Sequence, residues 1–320
     1  VQYLLRNRQA ISEHHFWLNT VNREDIDYIT TVAGMYPDFF KVKRREVFDE
    51  GHILDCIWQY WQDCTEDDTI YVRLDDDICF VDHDAIVKLF EFRQSHPEPF
   101  LIYGNIVNNA LCSHIHQSLG IIPRSWGEVK FEATDGVGWA KKLFAGRVHK
   151  LFIKDLRRKR TERWKFSPRK VDDYRRFSIN VVSWFGRDMQ KVDELKIKDL
   201  RSLGIRHPVS GENLANEEAF FTQYFPAKIG RPGVICGDAL FSHFAFYTQR
   251  PYLDNFTALL DWYKALAHGP LSPRTAVWLR LKGMIKSLGL IGCPWAWSFL
   301  ARRLRAVAEA LPWLRRPNSG

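Results

Sequence analysis

The stretch Ile70-Tyr71-Val72-Arg73-Leu74-Asp75-Asp76-Asp77-Ile78-Cys79-Phe80-Val81-Asp82 carries the strongest pattern in this chain of 320 residues. An apolar run containing the β-branched Ile70 and Val72 stops at three consecutive carboxylates and resumes at Ile78, Phe80 and Val81. That pattern predicts a buried strand ending in an acidic cluster. Side chains alternate along a strand, so Asp75 and Asp77 are expected on one side. Two carboxylates so close repel each other unless a cation lies between them. Oxygen ligands of this kind suit Mg²⁺ or Mn²⁺, ions usually shared with a phosphate. The plainer alternative is a solvated acidic turn after a strand.

Working outward, the N-terminal half alternates two periods. Residues 16–18 and 38–42 read as short strands around a helix over 23–35. Residues 51–63 place Ile53, Leu54, Ile57, Trp58 and Trp61 at helical spacing. After the Asp cluster, Asp82 or Asp84 can cap a helix that runs to Gln94 and stops before Pro97. Residues 100–103 form the next strand. Strands separated by helices predict an α/β domain of Rossmann type, with a mostly parallel sheet flanked by helices. Ligands of such sheets bind at the carboxyl ends of strands, where the Asp cluster falls.

The second half is less regular. Periodicity weakens over 106–176, then 177–184 reads as a strand leading to Phe185-Gly186. Residues 212–225 read as a helix carrying Glu217-Glu218. Residues 234–246 alternate around Gly237-Asp238 and end near His243, and 253–268 read as a closing helix. A lone His among aromatics is more often a core residue than a ligand.

The net charge of +8 is distributed unevenly: residues 1–140 sum to −11, 141–176 to +11, 177–273 to zero and 274–320 to +8. The segment 141–176 reads as a basic insertion, either a solvated face or a dock for an anionic acceptor. No nucleic-acid-binding motif accompanies the charge, so no nucleic-acid partner is expected. Residues 274–320 hold nine Lys or Arg, the single acid Glu309, and Trp278, Trp295, Trp297 and Trp313. Cationic, Trp-bearing amphipathic helices seat on anionic membrane surfaces, and the alternative is helices packed on the preceding domain. The boundary is expected at 268/269.

With 46% hydrophobic and 14% aromatic residues, the chain can bury a sizeable core. Cys56, Cys64, Cys79, Cys112, Cys236 and Cys293 show no CxxC spacing, so reduced thiols are expected rather than a zinc site. That usage favours a cytoplasmic compartment with peripheral membrane association. No signal peptide and no apolar run of membrane-spanning length are seen. A Golgi-lumenal location stays open if the chain is a fragment.

Residues 70–78 resemble the DxD segment of nucleotide-sugar-dependent glycosyltransferases with the GT-A fold. Segments 14–20, 183–189, 216–221 and 237–250 follow in the order such an enzyme shows, so the resemblance covers roughly residues 1 to 265. It implies a domain over 1–268 that binds a nucleoside-diphosphate sugar and transfers the sugar to a glycan or lipid-linked acceptor. It implies Asp75 and Asp77 as ligands of Mn²⁺ or Mg²⁺, completed by His243. Asp76 is implied as a ribose contact, and Arg73 stands with the donor-binding set. Trp184 and Gly186 are implied on the acceptor side, the alternative for Trp184 being a core residue. The acidic pair takes the place of the catalytic base, Glu218 first and Glu217 second. An initial base-gripping strand of that family is not apparent, because residues 1–13 read as the second half of a helix. Two other classes remain open: a different Asp-cluster phosphoryl-transfer enzyme or nuclease, and a non-catalytic membrane-associated binding protein.

Overall fold

The computed structural model describes residues 1–45, 57, 60–193 and 217–289. The expected helices over 51–63 and 212–225 lie partly outside these residues, and the tail beyond 289 lies wholly outside. Eight strands are described: β1 His14–Leu18, β2 Phe40–Arg44, β3 Ile70–Leu74, β4 Ile78–Val81, β5 Ile102–Val107, β6 Arg169–Lys170, β7 Val181–Phe185 and β8 Val234–His243. The α-helices are α1 Gln2–Arg6, α2 Arg23–Met35, α3 Ala85–Ser95, α4 Ala110–Ser118, α5 Lys142–Arg157, α6 Gly186–Asp193, α7 Glu217–Ala219, α8 Phe225–Ile229, α9 Arg250–Phe256, α10 Leu259–Ala267 and α11 Pro273–Ser287.

The architecture is α/β. β1 and β2 pair in parallel as a two-stranded sheet. The central sheet has six strands in the order β3-β7-β5-β8-β4, with β6 on β8. It is mixed rather than mostly parallel, because β7 runs antiparallel to both β3 and β5, and β6 antiparallel to β8. Apolar periodicity specifies that a strand is buried, and it is silent on direction. Helices flank this sheet, which is compatible with a Rossmann-like fold.

The chain divides into two units: Val1–Asp76, Val81–Asn105 and Lys165–Phe241 form the first, and Asp77–Phe80, Ile106–Trp164 and Ser242–Gly320 the second. The division passes along the chain within β4, β5 and β8, and between Asp76 and Asp77.

In the first unit, α2 starts where Asn22 accepts a hydrogen bond from the Glu24 backbone N–H at 2.9 Å, with Glu24 and Asp25 in the first turn. Both features favour a helix N-terminus. The core is aromatic: Trp61 packs on Trp184 and Phe221 with centroids 4.4 and 4.2 Å apart, and Tyr103 stacks on Phe177 at 4.2 Å. α7 runs into a π-helical stretch, Phe220–Tyr224, and then into α8. Pro226 explains the irregularity, because it cannot supply the N–H that an α-helix would aim at residue 222.

The basic segment 141–176 opens in the second unit with a helix that exposes its cationic side chains and buries an apolar stripe. This helix is α5, sixteen residues long, which buries Phe144, Ala145, Val148, His149, Phe152 and Ile153. His149 Nε2 donates to the Phe244 carbonyl at 2.8 Å, so its Nδ1 accepts from the Tyr263 hydroxyl, also at 2.8 Å. Burial lowers the His149 pKa to about 4, so this neutral tautomer persists at pH 7. Asp155, fully buried, accepts from the Trp164 indole at 3.1 Å and pairs with Arg160 at 2.5 Å. Half-buried arginines thus satisfy a buried acid, and the apolar stripe of α5 is core. The expected closing helix over 253–268 is two helices. Thr257 separates them, bonding back to the Leu253 carbonyl at 2.5 Å and accepting from the Leu259 N–H at 3.3 Å.

Candidate functional site

Within the first unit, β3 delivers Arg73 and then Asp75. The β3–β7 ladder ends at Leu74 opposite Val181, and one further bond joins the Asp75 N–H to the Asn180 carbonyl at 2.9 Å. Asn180 also donates its side-chain amide to Asp75 Oδ2 at 2.9 Å. Arg73 reaches Asp75 at 3.1 Å and Glu217 at 3.3 Å, with its guanidinium 5.6 Å from the Trp61 ring. Burial alone would lower the Arg73 pKa, but Glu217, Asp75 and Glu218 together raise it. Glu217 accepts from the Trp61 indole N–H, and Glu218 from the Arg176 Nε–H.

Both glutamates titrate above the ordinary carboxylate value. Burial is the main cause for each. Arg73 and Trp61 pull Glu217 back, and Arg176 pulls Glu218 back, while Asp75 pushes both up. A half-buried carboxylate with a raised pKa is suited to taking up a proton.

Asp77 begins the second unit. Its backbone carbonyl accepts from the Phe244 N–H at 2.9 Å. Its carboxylate lies 3.0 Å from His243 Nε2 and 2.7 Å from Arg250 Nη2. Burial would raise the Asp77 pKa, but the His243 hydrogen bond and the charges of His243 and Arg250 outweigh it and hold it low. β8 ends at His243, whose side chain is only 4% exposed, whereas Arg250 is 44% exposed at the start of α9. One partner of Asp77 is fixed and the other can leave.

β3 stops at Leu74 and Asp76 and Asp77 form a turn, so a turn rather than strand alternation orients the two carboxylates. The two carboxylates consequently have different partners. They remain two residue steps apart on one chain, a span of at most about 7 Å. Asp76, between them, is exposed.

The acceptor-side expectation is corrected. Trp184 is 1% exposed and sandwiched by Trp61 and Tyr71, with its indole N–H directed to the Cys64 carbonyl at 3.4 Å. An indole covered on both sides by rings offers no surface to a sugar, so Trp184 is a core residue. Gly186 is a packing glycine, since a Cβ there would come within 2.1 Å of the Glu66 carbonyl oxygen.

Arg176, Asn180 and Arg250 were not anticipated from sequence. Arg176 and Asn180 sit beside strand β7, and Arg250 ends the 237–250 segment. An unexplained polar residue beside a strand or helix end is the signal each offers. A second acidic group, Asp82, His83 and Asp84, is also close enough to share an ion. There the Lys165 ammonium is already 2.9 Å from Asp82 and 3.9 Å from Asp84. The four described cysteines, Cys64, Cys79, Cys112 and Cys236, are all free. Burial pushes the Cys64 and Cys112 thiols up to about 12 and Cys236 to about 11. None is a nucleophile or thiolate ligand at neutral pH. No described helix is long and apolar enough to cross a membrane.

No protein-family model, curated protein or solved structure matches the chain.

Proposed function

We propose that this protein is a metal-dependent glycosyltransferase that moves a sugar from a nucleoside-diphosphate sugar to a hydroxyl of a glycan or lipid-linked acceptor. The observation that carries this reading is the pairing of Asp77 with His243, just after a strand that ends at Leu74, the residue before Asp75. Their ligand atoms are 3.0 Å apart. An oxygen and an imidazole nitrogen this close would both be able to hold a divalent ion such as Mn²⁺ or Mg²⁺. Mixed oxygen and imidazole donors suit these ions.

Asp75, Asp77 and His243 would hold the ion, with Asp76 and Arg73 on the donor side. When bound, it neutralises charge on the departing diphosphate. The remaining chemistry belongs to the chain. Arg250 leaves Asp77 and pairs with a phosphate oxygen, as its exposed stem allows. Arg73 holds the Asp75 carboxylate in place at 3.1 Å. For transfer with inversion, Glu218 removes the proton from the attacking hydroxyl, and Arg176 orients it. Glu217, held by both Arg73 and Trp61, positions its neighbours rather than serving as the base.

The test is calorimetric titration of nucleoside diphosphates with and without Mn²⁺, on the wild type and on Asp77→Asn. Binding that needs Mn²⁺ and is lost in the variant is the expected result. Absence of nucleoside-diphosphate binding under both conditions would overturn the reading.

A further inference from the structure

The last turn of α5 and the middle of α11 together make a cavity of about 420 Å³ lined by Lys154, Arg157, Arg158 and Arg280. All four belong to the second unit. No acidic side chain lines the cavity. Among the described residues none of the four forms a salt bridge, although the chain contains 38 acids. The nearby acids are committed elsewhere: Asp155 to Arg160, Arg163 and Trp164, and Asp261 to Lys282 at 2.8 Å. Arg157 is further oriented by the Trp262 ring, 5.1 Å from its guanidinium.

Four like charges gathered around one concavity repel each other, and a bound anion relieves that repulsion more than water does. Guanidinium forks match phosphate oxygens in pairs, which a chloride cannot exploit, and a phosphate offers oxygens to several forks at once where a carboxylate has two. The cavity accommodates one head group, not a polymer. A second observation indicates where that group comes from. Arg280, Met284 and Leu288 recur at every fourth position of the α11 segment, so they form one stripe. Met284 is 60% exposed and Leu288 67% exposed. They stand about 6 and 12 Å along the axis from Arg280. A soluble phosphate has no use for two exposed apolar side chains beside its pocket, whereas a lipid carries acyl chains there.

The geometry points to a phosphate-binding pocket for the head group of an anionic lipid, formed by Lys154, Arg157, Arg158 and Arg280, with Met284 and Leu288 entering the acyl boundary. The pocket shares no residue with the Asp77–His243 pair, and the inference stands whether or not the transferase reading does.

The experiment is vesicle co-sedimentation of the full chain. The vesicles are phosphatidylcholine alone and phosphatidylcholine containing phosphatidic acid, the latter with and without excess inorganic phosphate. Three variants are compared: Arg157→Gln/Arg158→Gln/Arg280→Gln, Met284→Gln/Leu288→Gln, and the charge-matched control Arg302→Gln/Arg303→Gln/Arg305→Gln. The altered pocket and stripe side chains are exposed, so circular dichroism should be unchanged. The wild type is expected to bind only the phosphatidic acid vesicles. Each charge near an anionic surface is worth roughly five-fold, so the pocket variant should bind roughly 100-fold more weakly. The apolar variant should also weaken, and the control should lose markedly less than the pocket variant. Equal loss in the pocket and control variants would overturn the proposal, since net charge alone would then explain binding. Equal binding to both vesicle types would overturn it as well. Displacement by inorganic phosphate together with an inert apolar variant would assign the pocket to a soluble phosphate and overturn the lipid source.

Discussion

Glu217 and Glu218 are adjacent, yet each has its own cation: Arg73 for the first, Arg176 for the second. Their side chains are only 15% and 22% exposed, so burial sets the titration. An acid whose folded pKa exceeds its ordinary 4.5 favours the fold when protonated. That contribution is complete below about 4.5 and is lost as pH rises through the folded value. The stability of wild type relative to Glu217→Gln should therefore decline as pH is raised from about 4.5, measured by urea midpoints across pH. Asp77 has the opposite sign, because its folded pKa lies below its ordinary 3.8. Its contribution is present above 3.8 and lost as pH falls through the folded value, so wild type and Asp77→Asn should converge in acid. For the chemistry, Glu218→Gln should lower kcat by roughly 10²–10⁴ with nucleoside-diphosphate affinity unchanged. A variant that keeps full turnover would remove Glu218 from the role of base.

Among the elements, β7 holds the second unexpected result. Its last residues, Trp184 and Phe185, are core, and Gly186 lets α6 start against the backbone of Glu66. Trp184→Ala should cost about 3–5 kcal/mol of stability, as removal of a fully buried aromatic does. Trp184→Phe should cost less, and turnover per folded molecule should stay at the wild-type level. A large rise in acceptor KM in a fully folded Trp184→Phe protein would instead restore the sugar-stacking role. Gly186→Ala should destabilise by about 1–3 kcal/mol or more, because the obstacle is backbone that cannot rotate away. α5 carries a comparable lesson: a segment chosen for its charge proves to be an amphipathic helix whose buried stripe organises the second unit.

For the molecule as a whole, the proposed reading predicts that Mn²⁺ binding to the folded chain is visible as global stabilisation. At about 100 times its Kd, a ligand confined to the folded state adds about 2.7 kcal/mol. The thermal midpoint of wild type should rise with Mn²⁺, and that of Asp77→Asn should not. A matching rise in the variant would place the ion elsewhere, with the Asp82, His83 and Asp84 group as the alternative.

What the sequence determined by itself was local. The helix over 23–35 and the strand over 70–74 fall at the expected residues, because apolar spacing and an apolar run cut off by carboxylates are read along the chain. The acidic cluster and the cluster of arginines and lysines after Lys141 were equally visible. Only the tertiary structure decided the rest. Strand direction depends on where the chain returns, so the mixed sheet was not legible in apolar periodicity. The period of two stops at Leu74, and the partners that orient Asp75 and Asp77, Asn180 and His243, are both remote in sequence. Trp184 was ambiguous because an indole suits a sugar face and a core equally well. Trp61 and Tyr71 closed over it, and burial on both faces is a property of packing that no single position in a sequence carries.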